Sequence, residues 1–321
     1  MNEITTEKLR YSDSSSSSPT LTIITPTYNR AHTLSACFNS LARQTCRDYQ
    51  WIIVDDGSTD GTEELIESFA ADGGVPFDYI RKRNGGKHTA LNSAHRYIKG
   101  KYVTVLDSDD VLAPNAVETI ITEWKKYDSN QAVNVLYFYK VTPEGTLFCY
   151  VDNPNTVTET YRVRRRSDMH SRDCCDVFRT ELFKRYPFPV FDGERFIGEG
   201  AAFLNIELAG KGVYIDKAVY ICEYLDDGLT KAGRKLRINN PLGGRYNANV
   251  YMNKKLPILI RLKNSLLYNC YSSFAGIPMI KSILESDHLA LALIGLIPGK
   301  LLYFYWKKNT PEGGLDEKCR I

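Results

Sequence analysis

Three carboxylates stand within four residues at Asp107, Asp109 and Asp110, broken only by Ser108, directly after the apolar run Tyr102 to Leu106. Like charges crowded in this way are costly unless something positive joins them, and the sequence places no cation beside them. A hard divalent ion with oxygen ligands, Mg²⁺ or Mn²⁺, is the natural partner when phosphate oxygens and water fill its remaining positions. On an extended segment the D-x-D spacing puts Asp107 and Asp109 on the same side, so one can reach a ribose hydroxyl while the other binds the ion. Two more groups follow apolar runs in the same fashion. Leu21 to Thr25 leads into Pro26, Thr27, Tyr28, Asn29 and Arg30, and Trp51 to Val54 leads into Asp55, Asp56, Gly57, Ser58 and Thr59. A planar base can stack on Tyr28 while a carboxylate accepts its ring N–H. By themselves Asp55, Asp56 and Ser58 could equally cap a helix and shape a turn.

Something must bring these groups to one place, and the surrounding pattern supplies it. Leu21 to Thr25 reads as a strand, and Leu34, Cys37, Phe38 and Leu41 then recur at helical spacing. Trp51 to Val54 is a second strand; Asp60 with Glu63 opens a helix whose stripe is Leu65, Ile66 and Phe69. The third unit is strand Phe77 to Ile80 with helix residues Leu91, Ala94 and Ile98, and the fourth is strand Tyr102 to Leu106 with a helix opening at Pro114. Successive β-α units of this kind form a parallel sheet covered by helices on both faces, with ligands at the carboxyl ends of the strands. Past Tyr127 the pattern loosens into predicted strands at Val135 to Lys140, Leu147 to Val151 and Val157 to Val163, a mixed or antiparallel continuation. A helix from Glu199 to Ala209 and a strand pair ending at Tyr224 follow.

Composition narrows the class. The chain is 43% hydrophobic and 25% charged with a net charge of +3, ordinary for a globular protein and too little for nucleic-acid binding. Its eight cysteines form no C-x-x-C pair, so neither a zinc site nor a disulfide framework is expected and a reduced, cytoplasmic setting fits. Residues 1–20, with the low-complexity serine run Ser12 to Pro19, read as a disordered tail without a signal-peptide apolar stretch.

Taken together, Leu21 to Arg30 (LTIITPTYNR), Trp51 to Gly61 (WIIVDDGSTDG), Asn84 to Ala94 (NGGKHTALNSA) and Tyr102 to Asp110 (YVTVLDSDD) resemble, in order and spacing, the four successive signatures of family 2 glycosyltransferases. The resemblance covers Leu21 to Leu225. It implies an α/β fold of the GT-A, Rossmann-like type: a nucleotide-sugar-binding half at 21–127, an acceptor-binding and catalytic-base half at 128–230, and a helical appendage at 231–321. It also implies metal-dependent, inverting transfer of a hexosyl group from a nucleotide-sugar donor, UDP-linked, to a hydroxyl of a saccharide acceptor. Tyr28 and Asp56 match base-contacting positions, Asp107 the ribose side of the D-x-D and Asp109 the metal ligand. Pro26, Thr27, Arg30, Asp55 and Ser108 fall in the same donor-binding signatures. Asn84, Lys87 and His88 match the loop lining the nucleotide site, where Lys87 is expected to meet donor charge and His88 could equally make a structural hydrogen bond.

The family usually carries an acidic pair, often Glu-Asp, at a helix start downstream, and here that place reads Ile197, Gly198, Glu199, Gly200. Glu199 is therefore the expected base, with Asp192, Glu194 and Asp227 as substitutes. This Gly-Glu-Gly form, followed by EYLDDGLT at Glu223 to Thr230, resembles a subgroup that builds bacterial surface polysaccharides. A nucleotidyltransferase would need a Gly-rich phosphate loop, and Pro26 to Arg30 contains no glycine. The alternative that remains is a non-catalytic nucleotide-sugar-binding protein.

The last segment is different. Lys231 to Lys263 holds nine Lys or Arg and no Asp or Glu, and Leu289 to Trp306 is almost all apolar or aromatic, interrupted by Pro298, Gly299 and Lys300. An interfacial helix on the inner face of the cell membrane, close to a lipid-linked acceptor, is the expectation; a buried helix or an oligomer contact are the other readings.

Overall fold

The structure, a computed structural model, describes residues 7–11, 18–159, 173–222 and 229–309. Contacts divide the chain into two units, Met1–Pro187 with Ala209–Glu223, and Phe188–Leu208 with Tyr224–Ile321. The division differs from the sequence reading at residue 127: the strands on either side of it belong to one sheet, and the segment with Glu199 groups with the C-terminal helices.

The first unit is built on a single sheet. Its strands are β1 (Glu7–Tyr11), β2 (Leu21–Thr27), β3 (Tyr49–Asp55), β4 (Phe77–Arg81), β5 (Tyr102–Val105), β6 (Val111–Leu112), β7 (Val133–Val141), β8 (Val157–Thr158), β9 (Cys174–Arg179) and β10 (Lys211–Ile221). The order across the sheet is β1-β4-β3-β2-β5-β9-β7-β10-β6, with β8 paired to β10. The four expected strands β2 to β5 run parallel, and the expected mixed continuation begins where β9 pairs antiparallel with both β5 and β7. β2 and β3 are buried along their whole length, as strands covered on both faces must be. Helix α1 (Leu34–Ala42) buries the expected Leu34, Cys37, Phe38 and Leu41. Phe38 stacks on Phe69 of α2 (Thr62–Asp72) at a centroid distance of 4.1 Å. Helix α3 (Lys87–Ala94) connects β4 to β5, and α4 (Ala116–Tyr127) sets Trp124 flat on Tyr102 at 4.1 Å.

Four sequence expectations change. Residues 7–11, within the segment read as a disordered tail, form an edge strand antiparallel to β4. Leu147 to Val151 is no strand and contributes one isolated bridge, Val141 to Leu147. Only Val157–Thr158 of the next predicted strand pairs, and residues 160–163 lie outside the described set. The predicted strand pair ending at Tyr224 is one long strand, β10.

The second unit is helical. After α5 (Thr180–Arg185) of the first unit come α6 (Gly200–Ala209), α7 (Leu229–Asn239), α8 (Pro241–Val250), α9 (Ile258–Phe274), α10 (Met279–Leu284), α11 (Leu289–Ile294) and α12 (Leu296–Asn309). α9 is the scaffold against which α8, α10, α11 and α12 pack. Among the described residues no helix is long and apolar enough to cross a membrane.

Candidate active site

β2 lies between β3 and β5, so the strand order reverses there, and the crevice at such a reversal is where an open α/β sheet binds its ligand. The carboxyl ends of β2, β3, β4 and β5 share that edge, which gathers the segments after Thr27, Asp55, Arg81 and Val105.

Asp55 is fully buried, accepting hydrogen bonds from the Ser58 backbone N–H at 2.8 Å and the Tyr79 hydroxyl at 2.9 Å. Its Oδ1 thus holds the turn after β3, the role weighed against ligand binding from sequence, and its Oδ2 ties that turn to β4. Asp56 is buried as well. It forms an ion pair with Lys82 and accepts the backbone N–H groups of Gly85 at 3.0 Å and Gly86 at 2.6 Å. Lys82 donates further to Thr89 Oγ1 at 2.8 Å and the Arg83 carbonyl at 2.7 Å. Burial pushes the Asp56 carboxyl upward, and Lys82 and the two glycine amides oppose that shift. The Asp56–Lys82 pair therefore organises the loop that carries Asn84, Lys87 and His88. His88 is buried, and burial with the nearby Lys82 charge lowers its pKa to about 4, leaving a neutral imidazole.

Asn29 (φ +52°) ties this edge to the neighbouring turn, its side-chain oxygen accepting the Thr59 N–H at 2.8 Å and its own N–H reaching Ser58 Oγ at 2.9 Å. Pro26 is buried, while Tyr28 and Arg30 remain partly exposed at the edge. The Thr27 hydroxyl and the Asn84 amide are buried without a protein hydrogen-bond partner, unusual for native polar groups and suited to a ligand that would satisfy them.

Gly57 makes the close approach of these loops possible. Its φ of +81° favours glycine, and a Cβ there would lie 2.9 Å from the Asn84 backbone nitrogen. Gly57→Ala is expected to cost about 1–3 kcal/mol, lowering Tm by about 2–4 °C per kcal/mol and weakening ligand binding at this edge. Unchanged melting together with unchanged binding would refute that role.

The acidic group is a turn, not the extended segment expected from its spacing: the Asp110 N–H donates to the Asp107 carbonyl at 3.1 Å. The turn draws in the third acid, so carboxylate oxygens of Asp107, Asp109 and Asp110 lie within 4.8 Å of one another. Ser108 between them is buried. The sequence reading that no cation stands near is corrected as well. Lys87 Nζ is 2.5 Å from Asp107 Oδ1, and Lys140, paired with Asp173 at 3.0 Å, adds its charge from β7. Burial disfavours the Asp107 charge, yet Lys87, Lys140 and Arg30 outweigh it and hold the carboxyl below its ordinary range. Burial and then the Asp107 charge push Asp109 up, and for the same reasons Asp110 rises to about 7. Lys87, expected to face donor charge, pairs with Asp107 at this edge.

Tyr220 of β10 locks the turn, its hydroxyl accepting the Asp107 N–H at 3.0 Å and donating to Asp110 Oδ2 at 2.9 Å while Lys140 sits 4.3 Å over its ring. Lys82, Lys140 and Tyr220 escaped the sequence reading. Lys140 carried a signal, a lysine in an otherwise apolar strand, whereas Tyr220 is set against Asp107 only by the sheet. This donor set fits a hard divalent ion: the oxygens are mutually close, and the raised Asp109 and Asp110 express a repulsion that a cation would relieve.

Glu199, in the second unit, sits immediately before α6, its carbonyl accepting the Phe203 N–H at 3.1 Å. At Gly200, where the family pattern has an acid, a Cβ would stand 2.9 Å from the Tyr251 hydroxyl, the far end of a flexible side chain. Of the substitutes, Glu194 accepts the Leu242 and Gly243 N–H groups at 2.6 and 2.8 Å, capping α8, Asp192 is exposed, and Asp227 lies outside the described residues.

A sheet with a strand-order reversal, buried acids at its carboxyl edge and a lysine-organised loop beside them make up a ligand site of the kind an open α/β sheet carries. Residues 22–186 match the family described as glycosyl transferase family 2. The chain belongs to that family and is a glycosyltransferase. It is 26% identical over 212 residues to the glycosyltransferase GlyG of Streptococcus pneumoniae, covering 63% of this chain and 69% of that one. It spans less of other relatives, such as 13% of the Pasteurella multocida chondroitin synthase, to which it is 38% identical over 130 residues. Among solved structures, S. aureus TarS in complex with UDP-GlcNAc superposes with a TM-score of 0.59 at 15% identity, covering 93% of this chain and 95% of that one. These likenesses establish the GT-A fold.

Proposed function

We propose that this protein moves a hexosyl unit from a UDP-sugar onto a hydroxyl of a saccharide acceptor, lipid-linked, in the assembly of a bacterial surface polysaccharide, and that it does so at the cytoplasmic face of the membrane. The observation that carries the reading is the convergence of Asp107, Asp109 and Asp110 beside the Asp56–Lys82 loop at one sheet edge. The names of the relatives, a chondroitin synthase and a TarS–UDP-GlcNAc complex among them, support the UDP-sugar and polysaccharide parts. Tyr28 stacks on the base, and Asp56, with Asn84 and Thr27, orients it by hydrogen bonds. Asp107 holds the ribose side, and Lys87 and Arg30 attract the diphosphate. A divalent ion, Mg²⁺ or Mn²⁺, would be held by Asp109 with its acidic neighbours and, when bound, offsets diphosphate charge.

Glu199 takes the proton of the acceptor hydroxyl. The resulting oxygen forms a bond to the anomeric carbon on the face opposite the diphosphate. The bond from that carbon to the diphosphate oxygen breaks, its electron pair leaving with the nucleoside diphosphate, so configuration inverts. Neutral His88 helps shape the loop rather than carrying a proton.

A thermal-shift panel of nucleotide sugars, each with and without Mn²⁺, tests the donor. A ligand at about a hundred times its Kd should add about 2.7 kcal/mol of stability. A UDP-sugar is expected to raise Tm most, and only fully with Mn²⁺. Stabilisation by a GDP-sugar in preference, or none by any donor, would reject the assignment, and donor binding without turnover on any acceptor would favour the non-catalytic alternative.

A further inference from the structure

The transfer reaction leaves the outer face of the C-terminal helices unused. The apolar run Leu289 to Trp306 breaks at Gly295 into α11 and α12. Gly295 and Gly299 turn inward: Cβ atoms there would stand 2.4 Å from the Ser265 carbonyl carbon and 2.6 Å from the Leu266 carbonyl oxygen of α9. Leu291 and Trp306 are buried on the inner side with these glycines, and most of the other large side chains face out. Leu293, Ile294, Ile297, Leu301, Phe304 and Tyr305 form an exposed stripe at helical spacing, with Ile297 73% and Leu301 64% exposed. On α10, Ile280 and Leu284 are exposed to 75% and 72%. Such a concentration of exposed apolar side chains marks an interaction surface.

Charge selects the occupant. From Leu229 to Asn309 the sequence has thirteen Lys or Arg against two acids, Glu285 and Asp287. Both acids are engaged, Glu285 with Arg245 at 3.0 Å and Asp287 with the Asn249 amide at 2.5 Å. Lys307 and Lys308 are exposed beside the apolar face, Lys281 is exposed with its Nζ 3.8 Å from Glu285, and Lys300 lies 5.0 Å from the Tyr303 ring centroid. A second copy meeting this face across a two-fold axis would bring the same lysines against one another. Anionic headgroups would instead neutralise them, while the apolar stripe entered the headgroup boundary and the aromatic end lay at its level.

We infer that the outer face of α10 to α12 docks flat on an anionic lipid bilayer, with Ile297 and Leu301 inserted and Lys307 and Lys308 on the headgroups. The inference rests on the membrane-side location proposed above but not on the transfer chemistry, so either can fail alone.

Flotation of the full chain with phosphatidylcholine vesicles, with and without phosphatidylglycerol, tests it. Wild type should float with the anionic vesicles at low salt and be released as salt rises. The double variant Ile297→Glu, Leu301→Glu should stay at the bottom yet keep its melting temperature and its shift with nucleotide donor, since both positions are exposed. Lys307→Glu with Lys308→Glu should float only at lower salt than wild type. Wild type that remains at the bottom, equal flotation by the Ile297→Glu, Leu301→Glu variant, or a wild-type dimer that the same variant converts to monomer without altering flotation would each overturn the inference.

Discussion

Asp109→Ala is expected to abolish sugar transfer and the Mn²⁺-dependent part of donor stabilisation, with turnover down by ~10²–10³, the size of effect seen when a preorganised electrostatic stabiliser of a developing negative charge is removed. Its carboxylate belongs to the one acidic group that, among the described residues, can hold a divalent ion, and burial beside Asp107 already makes its charge unfavourable without one. Asp107→Ala should be milder. That change removes the carboxylate on the ribose side but also removes the anion that raises both Asp109 and Asp110, and it leaves Lys87, no longer shared with Asp107, wholly to the donor phosphate. The measurement is steady-state turnover with the best donor of the panel, with Mn²⁺ and with EDTA, alongside thermal shift. Wild-type activity in EDTA, or Asp109→Ala turning over near the wild-type rate, would show that the group holds no functional ion.

How much of this site is legible in sequence follows from how its parts are held. The ends of β2, β3 and β5 are readable because a strand buried on both faces is a continuous apolar run, and the polar residues that stop it mark the sheet edge. Tyr28, Asp56 and the Asp107 to Asp110 group are found that way. Their partners are not, because Lys82 meets Asp56, and Tyr220 meets Asp107, through strand order rather than spacing. β9, with its sequence CCDVFR, carries no alternation that separates it from loop, yet it joins β5 to β7 and so fixes where Lys140 falls. The turn at Asp107 to Asp110 looks extended in a D-x-D pattern because a two-residue spacing cannot report the backbone bond from Asp110 to Asp107 that curls it. For the C-terminal helices the apolar content was readable and its orientation was not, since Gly295 and Gly299 decide which side faces α9.

Glu199→Gln should keep donor affinity within a few-fold while cutting turnover by ~10² or more, the usual contribution of a positioned base. The amide preserves the shape of the side chain and leaves the Glu199 backbone carbonyl, which accepts the Phe203 N–H at the start of α6, unchanged. Loss of function by unfolding is therefore not expected, and melting temperature serves as the control. The alternative acids separate by what they already do. Glu194 holds the first N–H groups of α8, so Glu194→Gln should weaken that cap and lower Tm rather than abolish chemistry selectively. Exposed Asp192 as Asn should be near neutral. Asp227→Asn, tested beside them, closes the set. Single-turnover transfer from the same donor, with the anomeric configuration of the product read by NMR, reports both base and stereochemistry. A Glu199→Gln enzyme at full activity, with Asp192→Asn or Asp227→Asn carrying the loss instead, would move the base to that residue, and a product of retained configuration would reject the single displacement altogether.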